Sequence, residues 1–110
     1  MRAFITRTVI ILLPAVFSLA PSQGASASAA DLFKKKCVMC HGADGSGNTP
    51  MGKRLNLRDL RSKEIQGQPD SELRGAIENG KGKMPAQKAR LAKEEIQQLV
   101  GYVRELANKK

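Results

Sequence analysis

The sequence predicts an all-α domain of about four short helices gathered around a centre that its own side chains do not fill. Three observations lead there. Residues 93–108 carry an apolar stripe at helical spacing, and no segment alternates apolar and polar residues for the length of a strand. Glycine-rich loops separate the helical stretches. The apolar content is thin: 110 residues include no Trp, one Tyr and three Phe, of which Phe4 and Phe17 lie near the N-terminus. A domain this small usually needs a staple such as a disulfide or a metal.

The N-terminal stretch reads as a leader rather than as part of the domain. Arg2 and Arg7 form a positive region, and Val9 to Ala20 is apolar apart from Pro14 and Ser18. Pro21 to Ala30 is small and polar, with Ala-x-Ala matches at 25–27 and 27–29. This order is that of a secretory signal peptide. The rival, a membrane anchor, needs a run of about 20 apolar residues, and this run is shorter. No cysteine lies near the cleavage region to take a lipid. The expectation is a signal peptide over residues 1–27, cleaved between residues 25 and 30, a domain over 28–110, and export to the periplasm or a compartment such as a thylakoid lumen.

Within the domain, Ser28-Ala29-Ala30-Asp31 fits the pattern that caps a helix. A first helix should run from about Ala29 into the cysteines. Gly42 to Gly52 holds four glycines and Pro50 and reads as a loop. A short helix is expected near Ser62 to Gln66. Pro69-Asp70 opens another that runs to Asn79, with Leu73, Ala76 and Ile77 on one face and Gly80 as its stop. The last helix, Lys93 to Asn108, aligns Ile96, Leu99, Val100, Val103 and Leu106, with Tyr102 beside the stripe. Gly101 is expected to let another helix approach closely.

The chemistry concentrates in Cys37-Val38-Met39-Cys40-His41. Two thiols three positions apart can each add to a vinyl group of haem, and the adjacent histidine then reaches the iron. A dithiol redox site of this spacing belongs after a strand, within a βαβ pattern, and no strands are expected here. A closed zinc site needs four ligands, whereas two Cys and one His are all the chain has. A plain disulfide remains as the bland alternative. The second axial ligand follows by elimination. His41 is the only histidine, Met1 leaves with the leader, and Met39 lies between the cysteines. Met51 and Met84 remain. Met84 is favoured, because it lies far along the chain in the loop Gly80-Lys81-Gly82-Lys83-Met84-Pro85, where Pro85 stiffens the backbone beside the sulfur.

With these residues in hand, the chain resembles the class I cytochrome c family, especially its small soluble monohaem bacterial and photosynthetic electron carriers. Cys37 to His41 fits the haem-attachment motif and Met84-Pro85 the distal-ligand loop. Phe33, with Leu99 and Tyr102, fits the contact between first and last helices. The run Gly42-x-Asp44-Gly45-x-Gly47 is similar to the bacterial members. The resemblance implies the cytochrome c fold: helices wrapped around one covalently bound haem, the first and last packed together. It also implies a backbone carbonyl that accepts the second N–H of His41, with Pro50 as the candidate. The chain departs from many members in having no Trp to meet a haem propionate. Arg54, Asn56 and Arg58 are the candidates instead, with a solvated face as the plainer role for each.

These readings imply an electron carrier rather than an enzyme, since His41 and Met84 together would leave iron no open position. A haem subunit of a larger oxidase or dehydrogenase complex is the alternative, as is a peroxidase if Met84 detaches. Charge points to the partner. Loss of Arg2 and Arg7 with the leader, and of no acid, lowers the net charge from +9 to +7. Such a surface suits acidic redox proteins or membrane redox complexes that dock at the haem edge of a monomer. Export and the lack of aromatics among the basic residues argue against nucleic acid.

Overall fold

The computed structural model describes residues 9–19 and 27–109. Val9 to Leu19 is exposed and has no regular secondary structure. Arg2 and Arg7, the positive region expected of a leader, and residues 20–26 of the expected cleavage region lie outside the described residues. Among the described residues no helix is long and apolar enough to cross a membrane.

Among the described residues six helices follow in order: α1 (Ala29–Lys36), α2 (Val38–His41), α3 (Pro50–Arg54), α4 (Lys63–Gln66), α5 (Asp70–Asn79) and α6 (Lys93–Leu106). The described residues contain no strand, only an isolated bridge between Lys81 and Met84. The all-α reading is therefore right and its helix number too low. Two local features account for the difference. First, the expected helix into the cysteines breaks at Cys37, whose φ of −121° leaves the helical region. Secondly, the Gly42–Gly52 stretch is not all loop. Thr49 caps α3 by accepting from the Gly52 amide at 2.9 Å, and Pro50 follows at the first helical position, where its missing N–H costs nothing.

The remaining helices start and stop as their sequences dictate. Ser28 Oγ accepts from the Asp31 amide at 3.2 Å, which caps α1. Ser62 caps α4 in the same way. Gly80 ends α5 with φ +76°, a conformation favourable only to glycine. α6 begins at Ala92, which offers no side-chain acceptor. Glu95 compensates by accepting from the Ala92 amide at 2.9 Å, and Glu94 and Glu95 suit the positive end of the helix dipole.

The core is the stripe of α6 closed by α1 on one side and α5 on the other. Ile96, Leu99, Val100, Val103 and Leu106 are buried, with Leu32 and Phe33 from α1 and Leu73 and Ile77 from α5. Phe33 and Tyr102 set the contact of first and last helices, with ring centroids 5.0 Å apart at 46°. Gly101 does not serve as expected. It is exposed, and a Cβ placed there would meet nothing within 4 Å.

Candidate functional site

The turn that carries the cysteines is held by its own backbone. The Cys37 amide donates to the Phe33 carbonyl and the His41 amide to the Cys37 carbonyl, both at 2.9 Å. α3 fastens this turn from outside. Thr49 Oγ1 donates to the Cys40 carbonyl at 2.8 Å. Gly52 lies so close behind that a Cβ there would fall 2.2 Å from the Gly47 carbonyl oxygen and 2.6 Å from that of Cys40. Thr49 and Gly52 thus fix where the cysteines lie, a role that reading 42–52 as a plain loop misses. The Thr49-Pro50 pair, a cap followed by a first-turn proline, was the available signal.

Cys37, His41 and Met84 line one cavity of about 320 Å³, within the range of about 300–1,000 Å³ usual for cofactor sites. Leu73, Ala76 and Ile77 of α5 and Leu99 and Val103 of α6 make its floor apolar. Its polar lining comes from Asn56, Arg58, Gln68 and Lys81. Of the three propionate candidates, the structure places Asn56 and Arg58 on this cavity and not Arg54. Gln68 and Lys81, which sequence reasoning did not put there, join them. Met51, Pro50 and Cys40 are not among the lining residues.

Met84 is held by a tight return of the chain. The Lys81 amide donates to the Met84 carbonyl at 3.2 Å and the Met84 amide to the Lys81 carbonyl at 3.0 Å. Beyond it, the Gln87 amide donates to the Ile77 carbonyl at 2.9 Å, which ties the loop back to α5.

Burial sets the protonation of the donors. It lowers the pKa of His41, which favours the neutral imidazole, the form that binds a metal. It pushes the Cys37 thiol up to about 11, with the neighbouring Cys40 adding to the rise. His41 Nδ1 is buried and, among the described residues, makes no hydrogen bond with Pro50 or any other. Both cysteines are free and half-buried. Among the described residues no three His, Cys, Asp or Glu side chains cluster as a metal site. The donors gathered on the cavity are therefore one imidazole and one thioether, beside the thiol of Cys37.

The family described as cytochrome C oxidase, cbb3-type, subunit III matches residues 24–103. A cytochrome c6-like protein of Nostoc sp. (strain PCC 7120) is 30% identical over 112 residues, covering 99% of this chain and 97% of that protein. The chain belongs to the class I c-type cytochromes. Cytochrome c6 of Bryopsis maxima is 36% identical over 74 residues, covering 67% of this cytochrome and 83% of its own length. Among solved structures, the KustC0563 c-type cytochrome superposes with a TM-score of 0.68 at 30% identity, covering 73% of this chain and 98% of that one. Family membership implies haem. The cavity fits that group: it is largely apolar, it carries an imidazole whose neutral form is favoured by burial and whose buried Nδ1 has no hydrogen-bond partner among the described residues, and it has a thiol and a thioether on its wall.

Proposed function

We propose that this cytochrome binds one haem covalently through Cys37 and Cys40, with His41 and Met84 as the axial ligands of its iron, and that it carries electrons between redox proteins outside the cytoplasm. The observation that carries this reading is the meeting of His41 and Met84, distant in sequence, on one apolar cavity beside Cys37. When bound, haem supplies one-electron chemistry at its iron, and a thioether opposite imidazole raises the potential relative to two imidazoles.

The protein's own residues do the rest. Phe33, Leu73, Ile77 and Leu99 exclude water from the cavity. Burial lowers the pKa of His41 and so favours the neutral form that ligates. The Lys81–Met84 return presents the Met84 sulfur without help from a regular element. With His41 and Met84 both given to the iron, the metal would offer no open position to a substrate, which supports a carrier rather than an enzyme. Asn56, Arg58 and Gln68 supply polar groups for the propionates. Residues 1–27 act as the signal peptide that exports it, to the periplasm in the first instance.

The test is a visible spectrum of the purified protein in both oxidation states. A low-spin haem in each, held covalently through acid extraction, is the expected result. A high-spin ferric spectrum would overturn the His/Met assignment. The matched family's description, an oxidase subunit, favours one second reading, a fixed subunit of a membrane complex. Co-purification with such a complex at high salt would decide for it.

A further inference from the structure

One wall of the cavity comes from a stretch with little regular structure. Leu60, Ile65 and Gln68 all line it, and only α4 within the stretch is helical. The amides of Gln66, Gly67 and Gln68 bond only to carbonyls of the same stretch, those of Ser62, Lys63 and Ile65. What ties residues 66–70 to the body of the domain is mainly one side chain of α6. Arg104 Nη1 donates to the Gln66 carbonyl at 2.9 Å, and Nη2 donates to the Gln68 carbonyl. Nε and Nη2 also bond Asp70 Oδ1, at 3.1 and 2.9 Å. The Gln66 amide group completes the tie, donating to the carbonyls of Leu60 at 2.8 Å and Val103 at 3.0 Å.

Leu60 has its own link, its amide donating to the Gly45 carbonyl at 2.8 Å, and Pro69 and Asp70 run into α5. The remaining links of residues 61–68 are weaker or less directional. Arg61 and Asp44 stand 3.7 Å apart and are exposed, and such a pair contributes little. Ile65 packs against the core but makes no directional contact there. The Arg104 side chain is only 28% exposed, so its charge-assisted bonds are less screened than those at the open surface. Three acceptors in different directions also require the planar fork of a guanidinium, which a lysine lacks.

We propose that Arg104 is a positioning residue of the haem site: its guanidinium latches residues 66–70 onto α6 and so holds the Ile65 and Gln68 part of the wall against the cavity. This rests on the reading that the cavity holds haem. An apolar shell around a metal centre governs solvent access and hence its potential. A loosened wall admits water, which favours the more charged ferric form and lowers the potential.

The test uses the haem-loaded protein with Arg104→Lys and Arg104→Gln. Arg74→Gln is the control, since it removes the 3.0 Å bond from Arg74 to Gln97 between α5 and α6 and takes away none of the side-chain bonds that hold residues 66–70. Hydrogen exchange at the amides of Gln66, Gly67 and Gln68 should quicken by at least about tenfold in both Arg104 variants, the change expected from losing one hydrogen bond to a charged group. Exchange in α1 should stay as it was, the potential should fall, and the control should change neither. Arg104→Lys is the milder variant and keeps the charge, so the comparison survives if Arg104→Gln does not fold. Unchanged exchange at 66–68, a rise shared equally with α1, or local loosening with an unmoved potential would each overturn the proposal. Failure of the haem reading is seen separately, as a wild-type spectrum without low-spin haem, and the exchange measurement still decides whether the latch exists.

Discussion

A Cβ on Gly80 would lie 2.5 Å from the carbonyl oxygen of Met84. The chain leaves α5 through Gly80 at φ +76° and folds straight back over it, so that Lys81 and Met84 exchange backbone hydrogen bonds. The proposed distal ligand is therefore placed by a residue with no side chain.

Gly80→Ala should disturb both stability and ligation. It meets strain from positive φ and a backbone clash, a combination expected to cost on the order of 1–3 kcal/mol or more. Gly82→Ala is the matched comparison. It has φ +58°, but a Cβ there meets nothing within 4 Å, so it should show the conformational cost alone. Thermal unfolding of the two variants, with the ferric spin state read alongside, gives the answer. A Gly82 variant as impaired as the Gly80 one would refute the role of the close approach.

Met84→Ala should lower the potential and leave ferric iron high-spin or water-ligated. Met51→Ala should leave the spectrum nearly unchanged, since Met51 is half-buried on α3 and does not line the cavity. The two spectra exchanged would place the ligand on the wrong loop.

Much of this site could be read from the chain because its determinants are local. The Ser28 cap, the α6 stripe and the Gly80 stop each depend on residues within a few positions. Met84 could be proposed because the chain has so few rival ligands, and its place on the cavity agrees with that proposal. The break at Cys37 was hidden because its neighbours 29–36 and 38–41 both favour helix, and only the backbone angle at the thiol separates them. α3 was obscured by the glycines around it, although Thr49-Pro50 announced it. Gly101 misled because periodicity shows which face of a helix is apolar and not what lies opposite. Gln68 and Arg104 were out of reach, since their bond joins residues 36 positions apart.

Haem should be part of the fold rather than a passenger. The cavity sits among Phe33, Leu73, Ile77 and Leu99, all core residues, so the cofactor fills space that the thin apolar complement of the chain leaves open. A domain of about 80 residues buries too little to spare that contribution. Cys37→Ser with Cys40→Ser, purified without haem, should be largely unfolded by circular dichroism. Native-like helix content with cooperative unfolding would contradict this.

The basic surface should dock acidic partners. Lys34, Lys35 and Lys36 are exposed at the end of α1, Lys53 and Arg54 are exposed on α3, and Lys81, Lys83 and Lys88 are exposed on either side of Met84. Arg58, on the cavity, is paired with Glu64 at 2.7 Å, and Lys88 donates to Asn79 at 3.3 Å. Lys81 lines the cavity itself, and neither it nor Lys83 enters an ion pair among the described residues. These two are therefore the charges best placed to guide a partner to the haem edge. A diffusing carrier must bind and release quickly, which suits an interface of under about 1,200 Å² in total and leaves much of the encounter rate to steering. Screening should then be felt strongly, because the Debye length falls from roughly 30 Å at 0.01 M salt to about 10 Å at 0.1 M. The second-order rate of electron transfer to an acidic redox protein should drop steeply as salt rises. Lys81→Glu with Lys83→Glu should slow the reaction at low salt and flatten the dependence, with the spectrum unchanged. A rate indifferent to salt, and to the double substitution, would leave these lysines with no role beyond solubility.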